Sequence, residues 1–196
     1  MAQLFTDILS QGRSNFARPG FIDSREWFRD RARAVASMNE RKLISQNVEL
    51  QRRIPTPGYM YMFAYDPKYK DTLPYYDRFP LVFPFSLHRD GFTGISMHYL
   101  PHLLRARLMD ALYNLSSNSN FDVNTKLRMS YEILNSSSRY RLFAPCVKRY
   151  LYSHLQTKFL LVPSNEWDIA LFLPLERFNV NKRTVFNDSQ KSIRRR

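Results

Sequence analysis

From Pro57 to Pro101 the chain reads PGYMYMFAYDPKYKDTLPYYDRFPLVFPFSLHRDGFTGISMHYLP, and its first apolar stretch repeats with a period of two. Tyr59, Tyr61, Phe63 and Tyr65 fall on one face, with Met60, Met62 and Ala64 on the other, the alternation of an extended strand. Asp66-Pro67 ends that run, since proline donates no ladder hydrogen bond and fixes its own φ. A second run, Phe79 to Phe85, contains Pro80 and Pro84, which predict an edge or bulged strand. A third spans Phe92 to Leu100. Between them Asp90-Gly91 tolerates positive φ and predicts a tight hairpin. The first run is apolar on both faces, and the Met-Met-Ala face is too small to form a core alone. The sheet must therefore be covered twice, by a helix on one side and by another element on the other.

Outside this stretch the period changes to that of helices. Ala2 to Leu9 carries Leu4, Phe5, Ile8 and Leu9 on one side, and Arg18-Pro19-Gly20 breaks it. Ser24 is a candidate N-cap for a helix bearing Trp27, Phe28, Ala32, Val35 and Met38. Arg41 to Arg53 alternates weakly and stops at Ile54-Pro55. Beyond the sheet, Pro101 opens a helix with Leu104, Leu108, Ala111, Leu112 and Leu115 inward and Arg105, Arg107 and Asp110 outward. Ser116 to Asn120 is a loop. Thr125 is a candidate cap for a helix with Leu127, Tyr131 and Leu134, ending at Asn135 to Ser138. Pro145 predicts a further helix, with Val147, Tyr150, Leu151, His154 and Leu155 inward and Lys148 and Arg149 outward. Phe159 to Val162 is an apolar strand turned at Pro163-Ser164-Asn165, and Trp167 to Leu173 is a strand or buried helix stopped by Pro174. The expected fold is α+β: a small aromatic-rich antiparallel sheet packed with several helices. A helical N-terminal arm (1–54) precedes a core domain (55–178), and a basic C-terminal tail (179–196) follows it.

Charge changes the picture most. The 196 residues hold 30 basic and 17 acidic side chains, a formal net charge of +13, which favours nucleic acid, an anionic surface or an acidic protein as partner. From Ile133 to Asn165 there is no acid, against Arg139, Arg141, Lys148, Arg149 and Lys158. The end of the chain adds Lys182, Arg183, Lys191, Arg194, Arg195 and Arg196 against the single acid Asp188. Arg139, Arg141, Lys148, Arg149, Lys158, Lys182, Arg183, Arg194, Arg195 and Arg196 are the candidate contacts to DNA or to a partner. Apolar residues make up 44 %, enough for a packed core, but no run approaches the roughly 20 needed to cross a bilayer. MAQLFTDILSQGR has an acid within its apolar stretch and no basic lead, so no secretory signal is expected. The single cysteine, Cys146, excludes an internal disulfide and suits a reducing compartment.

Candidate chemistry is thin. Five glycines form neither phosphate-cradling motif. His98 and His102 have the spacing of a helical metal pair but straddle Pro101, so no metal site is expected. Cys146, near Lys148 and Arg149, is a candidate low-pKa thiol, yet no base matches it and a buried small hydrophobe explains it better. Glu40-Arg41-Lys42 has the form of a nuclease motif without its upstream aspartate, and reads as an exposed helical turn. Asp66, Asp77 and Asp90, with a lysine such as Lys68, are the raw material of a metal-dependent nuclease, but each is also explained as a turn former. The aromatic row Tyr59, Tyr61, Phe63, Tyr65, with Tyr75 and Tyr76, either stacks bases or forms a buried core, and the core reading is favoured. No cofactor, small-molecule substrate or catalytic role is expected.

The phrases DPKYKDTLPYYDRFPLVFPF, DGFTGISMHYLP with RARLMDAL, PCVKRYLYSHLQTKF and EWDIALFLPLERF resemble a small virion protein of large contractile-tailed phages, over roughly residues 55 to 190. That resemblance takes in DNA end protectors and baseplate components, and carries no catalytic motif. It implies a non-enzymatic structural protein of the virion, made in the host cytoplasm and present in several copies of a symmetric assembly. Two roles stay open under it. One contacts packaged double-stranded DNA or its end; the other is a baseplate or neck subunit binding other virion proteins.

Overall fold

A computed structural model of the protein describes residues 39–100, 105, 106, 108–110, 112, 120, 122–139 and 141–194. The helices expected between Ala2 and Met38, most of the Ser116 to Asn120 loop, His102, Arg195 and Arg196 lie outside the described residues. So do the side chains of Arg139, Arg141 and Arg194.

The strands are β1 (Gln51–Arg52), β2 (Met60–Met62), β3 (Leu81–His88), β4 (Gly91–Ser96), β5 (Val147–Leu151) and β6 (Phe159–Val162). They form one six-stranded sheet in the order β1-β6-β2-β3-β4-β5, antiparallel at every pairing. The helices are α1 (Glu40–Gln46), α2 (Val123–Arg139), α3 (Trp167–Phe172) and α4 (Lys182–Arg194), with further helical turns between 105 and 112. The α+β class is as the sequence predicts. Glu40-Arg41-Lys42 is the first turn of α1, capped by Asn39, whose side-chain oxygen accepts from Lys42 N at 3.1 Å.

The alternation from Tyr59 to Tyr65 sorts side chains into two cores. Met60 and Met62 join Leu81, Phe83 and Ile95 beneath the helices, against Leu43 and Ile44 of α1, Leu134 of α2, Trp167 and Leu171 of α3 and Val185 of α4. Tyr61, Phe63 and Tyr65 join Val82, Phe92, Tyr150 and Phe159 in a second cluster. The sheet itself covers that second face. The Phe63 ring lies 5.8 Å from Phe92, 5.2 Å from Tyr150 and 5.1 Å from Phe159. In a flat sheet, β2 and β5 stand three strand spacings apart, roughly 14 Å. The sheet must therefore roll with these rings inside. Residues 152–157 complete the roll: Leu155 bridges Tyr65, Asp66 N donates to His154 O at 3.1 Å, and Gln156 N donates to Ala64 O at 2.8 Å.

Several local expectations are corrected. The stretch after Pro145 is strand β5, paired along β4 from Gly91–Leu151 to Ile95–Val147, because the edge of β4 offers ladder partners that outweigh a helical period. A short helical turn, Arg141–Cys146, precedes it. The prolines do bulge β3, between Pro84 and Ser86, but β3 is interior rather than an edge. β2 pairs only with Leu81 and Val82, so Pro84 lies beyond that ladder, where only its carbonyl is used, by Gly58 N at 3.3 Å. The hairpin is present with Arg89 and Asp90 as its connecting residues, and among the described residues only Gly58 has positive φ. The third run is strand only to Ser96, then a 3-10 turn, Met97–Tyr99. Asp122, not Thr125, caps α2, accepting from Thr125 N at 2.7 Å. That helix runs on through Asn135 to Ser138, and Tyr131 faces solvent. Arg105, expected outside, is buried. Its guanidinium donates to the carbonyls of His98, Leu100 and Leu171, each at 3.1 Å, which satisfies a charge no solvent reaches.

Gly91 is needed for close approach rather than for the turn. A Cβ there meets Tyr150 O at 2.0 Å, which only opening of the β4–β5 ladder relieves. Gly91→Ala is expected to lower stability by about 1–3 kcal/mol, the usual range for overpacking. Urea denaturation checks it, and an unchanged midpoint contradicts the pairing described.

Candidate nucleic-acid interface

β5 is the last strand of the sheet, so one side of its backbone is unpaired by β4. A cleft of about 560 Å³ runs along it, walled on the opposite side by the segment from Pro67 to Tyr76. Leu151 N, on the free side, donates to Tyr65 Oη at 3.1 Å. Amides two residues apart share an edge, so Arg149 N–H points the same way, towards the cleft. Tyr65, Tyr99 and Tyr150 form the buried floor; Tyr75 and Tyr76 are half-buried, and Tyr69 is 61 % exposed at the rim.

Three cations line this space. Lys148, half-buried, holds its Nζ 4.3 Å from the Tyr99 ring centroid, and burial lowers its pKa. Lys68 Nζ sits 5.2 Å from the Tyr69 ring, and Arg149 is exposed and paired with Asp90. A smaller groove of about 340 Å³ lies on the other side of Tyr65 and is lined by Arg41, Arg78 and Arg177.

Beneath the cleft, Asp77 is buried and fully used. Oδ1 accepts from Phe79 N at 3.0 Å and from Arg177 N at 2.9 Å, while Oδ2 pairs with His98 Nδ1. This carboxylate ties the residues before β3 to the turn after β4 and to the strand-like segment at Phe178. Asp66 pairs with Lys70 and Asp90 with Arg149, so the three aspartates are spent separately. Among the described residues no three His, Cys, Asp or Glu side chains converge as metal ligands. Cys146 lies in the core, its pKa pushed up to about 12 by burial; the buried-hydrophobe reading holds and the reactive thiol does not.

Of the basic residues singled out from sequence, the structure brings Lys148 and Arg149 together in the cleft. Lys158 is exposed just before β6. Lys182 pairs with Glu176 at 3.1 Å and, with exposed Arg183, begins α4, which docks through buried Val185 and Ser189. Arg139 ends α2, Arg141 begins the turn before β5, and Arg194 ends α4. Tyr61, Phe63 and Tyr65 are core, as favoured. Tyr99 and the Arg41, Arg78, Arg177 groove were not legible, since their members are far apart in sequence. The density of tyrosine and lysine in Lys68-Tyr69-Lys70 and Tyr75-Tyr76 was the available signal. Among the described residues no helix is long and apolar enough to cross a membrane.

The tyrosine-rich interior makes the fold sensitive to alkali. Burial raises the pKa of Tyr61, Tyr65, Tyr75, Tyr99, Tyr150 and Tyr152, and that of Cys146 from 9.0 to about 12. A group held protonated by folding contributes stability below its unfolded pKa, and this is lost as pH climbs towards the folded value. Lys148 and Arg105, lowered by burial, act in the opposite sense but are fewer. Two pH units above 9 the Cys146 share alone is on the order of 2–3 kcal/mol. Melting temperature is expected to fall from pH 9 upward, and Cys146→Ala to delay the onset by about one unit, towards the range where tyrosine ionises. Parallel curves for the two proteins contradict this.

Comparison with known proteins adds one match. The family described as phage T4 terminal DNA protecting protein aligns with residues 22–194, and this span includes the sheet, the cleft and all of α4. Neither the curated proteins nor the solved structures give a significant match. With nearly the whole length aligned, the chain belongs to the phage T4 terminal DNA protecting protein family.

Proposed function

We propose that this protein is a virion component that seats on the end of packaged duplex DNA, shields it from exonucleases, and catalyses no reaction of its own. The family membership carries the reading, and the net charge of +13 supports it. Phosphate contact fixes position and supplies affinity without sequence preference, which is what a general end cap requires. The proposed contacts are the basic residues named from sequence: Arg139, Arg141, Lys148, Arg149, Lys158, Lys182, Arg183 and the three terminal arginines. Residues 55–178 are proposed as the core domain, onto whose sheet α1, β1 and α4 also pack, in a protein present in several copies of one assembly with neighbouring virion proteins.

Exonuclease digestion of linear duplex, with and without the full chain, tests the reading. The digestion rate is expected to drop when protein is present and circular DNA to compete poorly. Lys158→Ala and Arg183→Ala are each expected to weaken binding at every sequence alike. Each is also expected to flatten the plot of log K against log salt by about one unit, since one phosphate contact contributes a slope of about −0.9. Unprotected ends sink the proposal.

Two rivals remain testable. A baseplate or neck subunit uses the same guanidinium geometry on protein carboxylates. Density for this chain in the baseplate of intact virions, far from DNA, selects it. A nuclease built on Asp77 requires DNA cleavage with Mg²⁺ or Mn²⁺ that Asp77→Asn abolishes. The buried hydrogen bond to His98 predicts instead that this substitution destabilises the fold by about 1–3 kcal/mol, as disturbing a buried polar contact does. No cleavage is expected from the unaltered protein.

A further inference from the structure

We infer that the cleft along the free edge of β5 holds an unpaired terminal nucleotide of the DNA end, its base among the tyrosines and its phosphate between Lys68 and Arg149. The inference rests on the end-protection reading and says how an end is told from the interior of a duplex.

Size argues first. A space of about 560 Å³ has a cube root of about 8 Å, while the major groove of a duplex is by itself about 12 Å wide. Only a single strand enters. The volume lies within the range, about 300–1,000 Å³, of sites that enclose small ligands.

Chemistry argues next. Of the six tyrosines that line the space, Tyr65, Tyr99 and Tyr150 are buried and form its floor, while Tyr69, Tyr75 and Tyr76 keep accessible rings on which any base can stack whatever its identity. Lys68 and Arg149 stand at the opening, and Lys148 is held on the Tyr99 ring at the floor. The negative groups present are already engaged: Asp90 by Arg149, and Asp77 by His98 and two backbone amides. Arg149 and Asp90 offset each other, so it is Lys68 and Lys148 that leave the lining positive towards an incoming phosphate. The Arg149 amide on the open edge of β5 offers a further donor to a base or phosphate oxygen.

Energetics then select ends. Extracting an internal nucleotide costs unstacking on both sides and a lost pair, and the cost is least where a base is already single-stranded. An overhanging nucleotide incurs almost none of this. A cleft that rewards one stacked base therefore discriminates end from interior without reading sequence. The surface cations, which meet the same phosphates everywhere along a duplex, do not.

The test uses the full chain and duplexes with a short overhang, carrying 2-aminopurine either as the terminal base or at the centre. Stacking on tyrosine is expected to quench the terminal probe and leave the central one unchanged. Tyr69→Ala is expected to restore the terminal emission and to weaken binding to overhang DNA by about tenfold, one stacked base. Lys68→Ala is expected to reduce overhang affinity and flatten its salt dependence by about one unit. Both side chains are exposed, so the variants should keep the melting temperature of the parent, which is measured alongside. If the parent shields ends yet the terminal probe keeps its emission, the cleft inference is wrong and the end-protection reading stands. The cleft inference is equally wrong if both variants bind overhangs as the parent does. If the parent shields no end, both fall together.

Discussion

The constraint on which this structure depends is the burial of rings from both sides of a sheet that the described helices cover on one side. Tyr61, Phe63, Tyr65, Phe92, Tyr150 and Phe159 are each at most 8 % exposed, yet among the described residues no α-helix contributes to their cluster. Each large ring removed from water contributes roughly 1.5–3 kcal/mol, so leaving this face in solvent costs more than bending the sheet does. Rolling is the remaining solution. Phe63 takes the centre, packed edge-on against four other rings.

The roll has a consequence at its seam. Residues 152–157 join Tyr65 and Asp66, but this leaves the side of β5 away from β4 facing the Pro67 to Tyr76 segment across a gap. A wide-open edge would invite pairing with any strand. Here Tyr65 Oη takes the Leu151 amide, and the opposite wall narrows access. The cleft is thus what remains where the rolled sheet closes incompletely.

Two buried polar groups keep its walls in place. Asp77 links three chain segments through its two oxygens, and Arg105 ties the same His98–Leu100 turn to Leu171 of α3 through backbone carbonyls. Both side chains are spent on bonds that hold the fold. Charge is distributed differently, over exposed positions of β5, the start of β6 and α4, where solvent screens each cation and only a polyanion gathers them.

Sequence alone determined the features with a local cause. The period of two from Tyr59 to Tyr65, the continuous run Phe159 to Val162, the hairpin after His88 and the surplus of basic residues are properties of adjacent residues, and they are present as read. What sequence left open or mistook was set by distant partners. Val147 to Leu151 is a strand because Gly91 to Ile95 lies beside it. Arg105 is inside because three carbonyls await it, and Asp77 is a tie as well as the turn former read from sequence, because His98 and Arg177 N arrive from elsewhere while its Oδ1 also takes the Phe79 amide. The cleft had no local signature at all. Its tyrosines come from four separate segments, and only closure of the rolled sheet, driven by rings that no single segment can bury, brings them to one place.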